Sequence, residues 1–253
     1  MANKFCFYTA VFGNYDQVFS CPKIEGYDFI IFSDIPIAVP SPWINIIVKI
    51  APMDNVKKNR FIKMHPHIFL KDYEYSIYLD GNISPRESFK VIFDDVYDFD
   101  VVFFRHPKRD SIRQEIIAAA QLSKISREEF YISLAQLKKS ISAGFVDDLL
   151  LEANVIFRRH NNTAVINMME SWWDLFSSGV NRDQFTLPVV ISKNKGAKLK
   201  IYKTLNIRED DEFFICRSHA KNNLSDWFSS LIKKAKFFIF SRHYWEKKAN
   251  RIL

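Results

Sequence analysis

The feature that most restricts the fold is a series of short apolar runs, rich in β-branched and aromatic residues, separated by stretches with helical spacing. Residues 5–11, 28–33 (DFIIFS), 43–50 (WINIIVKI), 75–80 (YSIYLD) and 100–105 (DVVFFR) read as strands, with weaker ones at 155–158 and 198–202. Helices are predicted over 55–66, where Pro66 ends the run, and over 111–123, 127–141, 162–177 and 183–193. Ser126, with Glu129 three residues on, has the capping-box spacing. Strands alternating with helices predict an α/β fold, with a mostly parallel central sheet flanked by helices over residues 1–220. The chain has 253 residues, 48% of them hydrophobic, enough for such a core.

Charge divides the chain unequally. The net charge is +7, and residues 221–253 hold eight Lys/Arg against two Asp/Glu, so the preceding body is near neutral. A nucleic-acid enzyme would carry a basic groove on its body, so no nucleic-acid partner is expected. Within that tail Leu224, Trp227, Phe228, Leu231, Ile232, Ala235, Phe238 and Ile239 recur at helical spacing, with Lys233, Lys234 and Lys236 largely off the apolar face. Such a helix suits an anionic membrane surface; a final helix docked on the body is the alternative. Cys6, Cys21 and Cys216 are odd in number and far apart, which fits a reducing compartment. The N-terminal residues lack the apolar stretch of a signal peptide, and no run of about 18 apolar residues occurs. A cytoplasmic protein, peripheral on the inner face of the membrane, is the expectation.

Chemistry concentrates in a few places. The strand at 75–80 ends in Asp80-Gly81-Asn82. An acid at the carboxyl end of a buried strand faces the crevice where α/β proteins bind ligands, and two oxygens at i and i+2 can hold a divalent cation. A plain turn is the alternative. Arg182-Asp183-Gln184 offers an acid and an amide that can bind sugar hydroxyls, or a helix cap. His219 can serve as a third metal ligand. Arg60, Lys63 and His67 share a helical face that suits a diphosphate. Tyr8, Phe12 and Tyr15 can stack on a base or sugar, with core packing as the alternative, and one of Trp172 and Trp173 belongs in the core. Arg158-Arg159-His160 reads as a solvated strand end or as the mouth of a site. No GxGxxG, P-loop, GxSxG or HExxH pattern is present.

Taken in order, Tyr8-Thr9-Ala10-Val11-Phe12-Gly13-Asn14-Tyr15-Asp16, FIIFSD ending at Asp34, Arg60…Lys63…Pro66-His67, YSIYLDGNI, His106-Pro107, Glu152…Asn154, Trp172-Trp173 and Arg182-Asp183-Gln184 resemble the glycosyltransferase-like domain family of the plant TOD1/MUCI70 proteins and their bacterial relatives. The resemblance spans roughly residues 5–220. It implies a GT-A-type fold with Tyr8, Thr9, Ala10, Phe12, Gly13, Tyr15 and Asp34 around the nucleotide of a nucleoside-diphosphate sugar, together with Arg60, Lys63, Asp80 and Gly81. It implies Mn²⁺ or Mg²⁺ on Asp80, Asn82 and His219, with Asn82 neutral where a second carboxylate is usual. Asp183 and Gln184 are then the expected catalytic pair, and His106, Glu152, Asn154 and Arg182 the sugar- and acceptor-binding residues. The expected activity is transfer of a sugar, UDP-linked by expectation, to a glycan or lipid-linked glycan in bacterial surface-polysaccharide assembly. A nucleotide-sugar hydrolase and a non-catalytic glycan-binding domain on the same fold are the alternatives.

Overall fold

The computed structural model describes residues 4–13, 18–203, 205–209, 211–217 and 242–253. Tyr15, His219 and the apolar face at 224–239 lie outside the described residues. The strands are β1 (Phe5–Ala10), β2 (Tyr27–Ser33), β3 (Ile44–Ile47), β4 (Tyr75–Leu79), β5 (Ile83–Pro85), β6 (Val101–Arg105), β7 (Leu151–Arg158), β8 (Leu199–Tyr202) and β9 (Phe214–Cys216). The helices are α1 (Asn55–Met64), α2 (Pro66–Phe69), α3 (Phe89–Val96), α4 (Ile112–Gln121), α5 (Arg127–Ser142), α6 (Thr163–Ser177), α7 (Leu187–Lys193) and α8 (Arg242–Ile252), with a 3-10 turn at Asp183–Phe185.

Seven strands form one sheet in the order β3-β2-β1-β4-β7-β6-β8, and β5 pairs with β9 in a small second sheet. β3, β2, β1 and β4 are mutually parallel and β6 is parallel to β8, whereas β7 runs antiparallel to both its neighbours. The α/β architecture with a mostly parallel sheet is therefore as expected, and it is of the Rossmann-like kind. Chain order runs outward from β1 to β3, then returns to β4 on the other side of β1. That reversal opens a crevice beyond the carboxyl ends of β1 and β4, the standard ligand position in such sheets.

Alternation along β1 assigns its side chains to two cores. Cys6, Tyr8 and Ala10 pack under α1 and α6 with Ile62, Met64, Met168 and Trp172. Phe7 packs on the opposite face with Phe29, Ile77, Phe89 and Phe214. A third cluster joins α4, α5 and α8 through Ile116, Phe130, Leu134 and Ala249.

The last helix, within the segment set apart from residue 221 onward, packs on the body. Trp245 of α8 packs against Phe130 of α5 with ring centroids 4.6 Å apart, and Ala249 is fully buried. Lys138 Nζ donates to the carbonyl of Ile252. Lys247, Lys248 and Arg251 of α8 are therefore part of the body's surface, because one face of the helix supplies core contacts. Among the described residues no helix is long and apolar enough to cross a membrane.

Three more local readings change. Pro66 ends α1 and also starts α2, so His67 leaves the Arg60–Lys63 face and pairs with Glu170 of α6 at 3.0 Å. Arg158 and His160 are buried, not a solvated strand end, because β7 is a central strand covered on both faces. Trp172 is core, and its indole N–H donates to the carbonyl of Asp183 at 3.2 Å.

Candidate active site

A cavity of about 610 Å³ opens at the sheet edge where β1, β4 and β6 end and β7 begins. Its first wall comes from the loop after β1 and from α1. Asp54 caps α1 by accepting from the Lys57 amide at 2.9 Å, which orients Asn55, Asn59, Arg60 and Lys63 toward the cavity. Asn59 Nδ2 donates to the carbonyl of Ala10 at 2.7 Å and ties the two pieces together. Gly13 has φ +65°, and a Cβ there would meet Asn55 Nδ2 at 2.0 Å. The left-handed backbone favours glycine there, and a side chain would also displace Asn55.

Between the walls lies a charge network. Asp183 Oδ2 is 2.6 Å from Lys63 Nζ and 3.0 Å from Arg60 Nε, and Lys63 Nζ is also 3.8 Å from Asp80 Oδ1. Asp80 follows β4, is half-buried, and accepts from the Tyr78 hydroxyl at 3.0 Å. Lys63 is 1% exposed and Asp183 7%. Burial opposes ionisation of the Asp183 carboxyl, but Arg60 and Lys63 outweigh it and hold the group well below the usual carboxylate range. Burial lowers the Lys63 ammonium, with Asp183 and Asp80 resisting. Two acids thus face two cations.

The second wall depends on an irregularity in β7. Val102 of β6 pairs with Phe157, but Phe104 pairs with Glu152, so β7 spends extra residues over the same stretch. Such a bulge re-aims side chains, and here Glu152, Ala153 and Asn154 all reach the cavity. Glu152 Oε1 accepts from Arg208 Nε at 2.6 Å and Oε2 from Asn154 Nδ2 at 2.9 Å. Glu115 of α4 takes Arg182 at 3.1 Å on one oxygen and Arg109 on the other. His106, just past β6, accepts through Nδ1 from the amides of Lys108 and Arg109, both at 3.1 Å. Burial, reinforced by Arg109, lowers its pKa to about 4, so the ring is neutral near pH 7.

The expected residues divide as follows. Ala10, Phe12, Gly13, Arg60, Lys63, Asp80, His106, Glu152, Asn154, Arg182, Asp183 and Gln184 line one cavity. Tyr8 does not: it is fully buried, and its hydroxyl donates to the carbonyl of Lys63 at 2.9 Å and accepts from Arg158. Thr9 is buried within β1, which leaves neither residue a face for a base. Asp34 is paired with Lys58 at 2.7 Å, away from the lining. Gly81 is not in the lining, and neither is Asn82, whose Nδ2 donates to the carbonyl of Arg217 at 2.6 Å and holds β9 against β5. The expected ligands Asp80 and Asn82 therefore face different surroundings, because the chain turns between them. The side chain of Asp183 caps no helix; it is committed to Arg60 and Lys63. Asn55, Glu115, Lys124 and Arg208 also line the cavity without a signal in any local motif, together with Tyr78 of the YSIYLDGNI run and Arg109.

No protein-family model matches the chain, and no curated protein matches it significantly.

Proposed function

We propose that the chain is a GT-A-type glycosyltransferase that moves a sugar from a nucleoside-diphosphate donor, a UDP-sugar in the first instance, to a glycan acceptor. The observation that carries this reading is the cavity at the reversal of strand order, with Asp80 at its floor and Arg60, Lys63 and Asp183 beside it. The glycine-dependent loop at Ala10–Gly13 and α1 form the donor side. The β6–β7 side, with His106, Glu152, Asn154 and Arg182, takes the acceptor.

Chemically, the departing diphosphate gathers negative charge as the bond to the sugar breaks. Arg60 and Lys63 are oriented for that charge by a shared buried carboxylate, so no reorganisation is needed when it develops. Asp183 is strongly ionised and doubly paired, which makes it a poor proton acceptor; its role is to position Arg60 and Lys63. Gln184 reaches the lining and donates weakly to the carbonyl of Leu151 at 3.5 Å, which leaves it available to a sugar hydroxyl.

The donor set suits a magnesium- or manganese-like ion bound in the manner of phosphate-transfer sites, through one carboxylate with the remaining positions left to substrate phosphate and water. Asp80 is that carboxylate, and the even balance of Arg60 and Lys63 against Asp80 and Asp183 leaves the diphosphate's charge for another cation. When bound, such an ion neutralises the leaving group.

Placement beside a membrane, and with it a lipid-linked acceptor in surface-polysaccharide assembly, rests on the basic, apolar-faced stretch at 221–241. Thermal shift with a panel of UDP-sugars and Mn²⁺ tests the donor reading. A hundredfold excess over Kd stabilises by about 2.7 kcal/mol, or roughly 5–10 °C for a chain of this size. A panel in which no nucleotide sugar moves Tm would refute it.

A further inference from the structure

We infer that the second wall of the cavity is an anion subsite, built to take a carboxylate or phosphate on a hydroxyl-bearing molecule. As the identity of the acceptor it rests on the transferase reading; as a binding site it does not.

The acids and bases of this wall do not balance. Glu115, 3% exposed, is shared by two guanidinium groups, Arg109 and Arg182, which leaves one positive charge over. Arg208 is matched by Glu152. Glu129 also lines the cavity and keeps its negative charge, with one oxygen taken by the Ser126 amide at 2.6 Å in the cap of α5. Lys124, on the turn between α4 and α5, has no side-chain hydrogen bond or ion pair among the described residues, and it lines the same cavity. Burial lowers its ammonium pKa, and Arg182, Arg208 and Arg109 lower it further, with Glu115 opposing, so it stands in a positive field. Arg109, Arg182, Arg208 and Lys124 against Glu115, Glu152 and Glu129 leave one positive charge over on this wall, and a ligand anion is what relieves it.

A second observation comes from a different kind of group. Asn154 is 5% exposed, and its Oδ1 has no hydrogen-bond partner among the described residues. The amide cannot turn over to cure this. Glu152 Oε2 only accepts, so Nδ2 must face it, and Oδ1 is left as a bare acceptor. A buried acceptor without a donor costs about 1–3 kcal/mol. A hydroxyl on the bound molecule supplies the donor. Charge and hydroxyl together describe an acidic sugar: a uronic acid or a sugar phosphate.

Calorimetry on the full chain separates the possibilities, with glucuronate, glucose 6-phosphate, glucose and UDP as probes. Both acidic sugars should bind in the presence of saturating UDP, and glucose at least tenfold more weakly. Lys124→Glu, at an exposed turn, should weaken the acidic sugars at least tenfold and change UDP affinity less than twofold. Asn154→Asp, which turns the amide donor facing Glu152 into an oxygen and adds negative charge beside the ligand's anion, should weaken them too while the chain keeps its circular dichroism spectrum. Preference for glucuronate over the phosphate, or the reverse, tells which anion is meant. Equal binding of glucose, indifference to Lys124→Glu, or displacement of the acidic sugars by UDP would each overturn the subsite. If UDP fails to bind while acidic sugars bind in a Lys124-dependent way, the donor reading falls and the subsite stands.

Discussion

Replacing Asp183 by Asn keeps its shape and removes the one carboxylate shared by Lys63 and Arg60. Lys63 is almost wholly buried, and its remaining acid is Asp80 at 3.8 Å. Removing one partner of a buried pair costs about 3–5 kcal/mol, because the other charge is left in a low-dielectric site. For a chain of this length that is a fall in Tm of about 6–20 °C. Lys63→Met should cost less, about 1–3 kcal/mol, since Asp183 keeps Arg60 at 3.0 Å. The double variant should then fall short of the sum by at least about 1 kcal/mol, the mark of two groups in contact. The pH dependence has a fixed sign. The folded pKa of Asp183 lies below its unfolded value, so its contribution is complete above the ordinary carboxylate range and is lost as pH falls through the folded value. The gap between wild type and Asp183→Asn should therefore be constant near neutrality and narrow below about pH 4. Denaturant titrations at several pH values measure it. A variant within about 0.5 kcal/mol of wild type at pH 7, or strict additivity in the cycle, refutes the network as described.

Other outcomes follow from the same geometry. Asn82→Ala should lose about 1–3 kcal/mol of stability, because the hydrogen bond that its buried side-chain amide donates to the Arg217 carbonyl is lost, while Mn²⁺-dependent UDP binding changes little; Asp80→Ala should abolish that binding, as calorimetry can show. Gly13→Ala forces a Cβ onto Asn55 in a left-handed backbone, which should cost about 1–3 kcal/mol and weaken UDP at least tenfold. His106 and His160 both have pKa values pressed down to about 4 by burial, so Tm should drop as pH falls from about 6.5 toward 4, and His160→Gln should flatten part of that drop.

Much of the sheet was legible because its strands are continuous apolar runs, as in residues 75–79, where each side chain is buried. Its carboxyl edge was legible through Asp80, since an acid can end such a run only where the chain leaves the core. The direction of β7 was not. Antiparallel entry depends on how the long segment across α4 and α5 returns, and nothing in LEANVIFR encodes it locally. Tyr8 misled because an aromatic residue before a glycine loop suits stacking and core packing equally, and β1 is central. Asn82 misled because i, i+2 spacing brings two side chains together only if the strand continues, whereas the chain turns there into β5. Glu115 and Lys124, on α4 and the turn after it, meet Arg208 from a distant loop, so that meeting is a product of topology. Arg109 and Arg182, joined across Glu115, show the same thing.

The antiparallel course of β7 means that the cavity edge gathers the first residues of one strand and the last residues of its neighbours. A functional group at the end of a strand is set by everything paired before it; one at a strand's beginning answers to the loop that feeds it. Residues 143–150 are that loop, and the amide of His106 already holds its final carbonyl, at Leu150. A one-residue slip of β7 forced by a change in that loop would turn Glu152 and Asn154 to the opposite face while β1 and β4 kept their register. Under the proposed function, acceptor choice therefore has a route to change through loop length, independent of Arg60, Lys63 and Asp80.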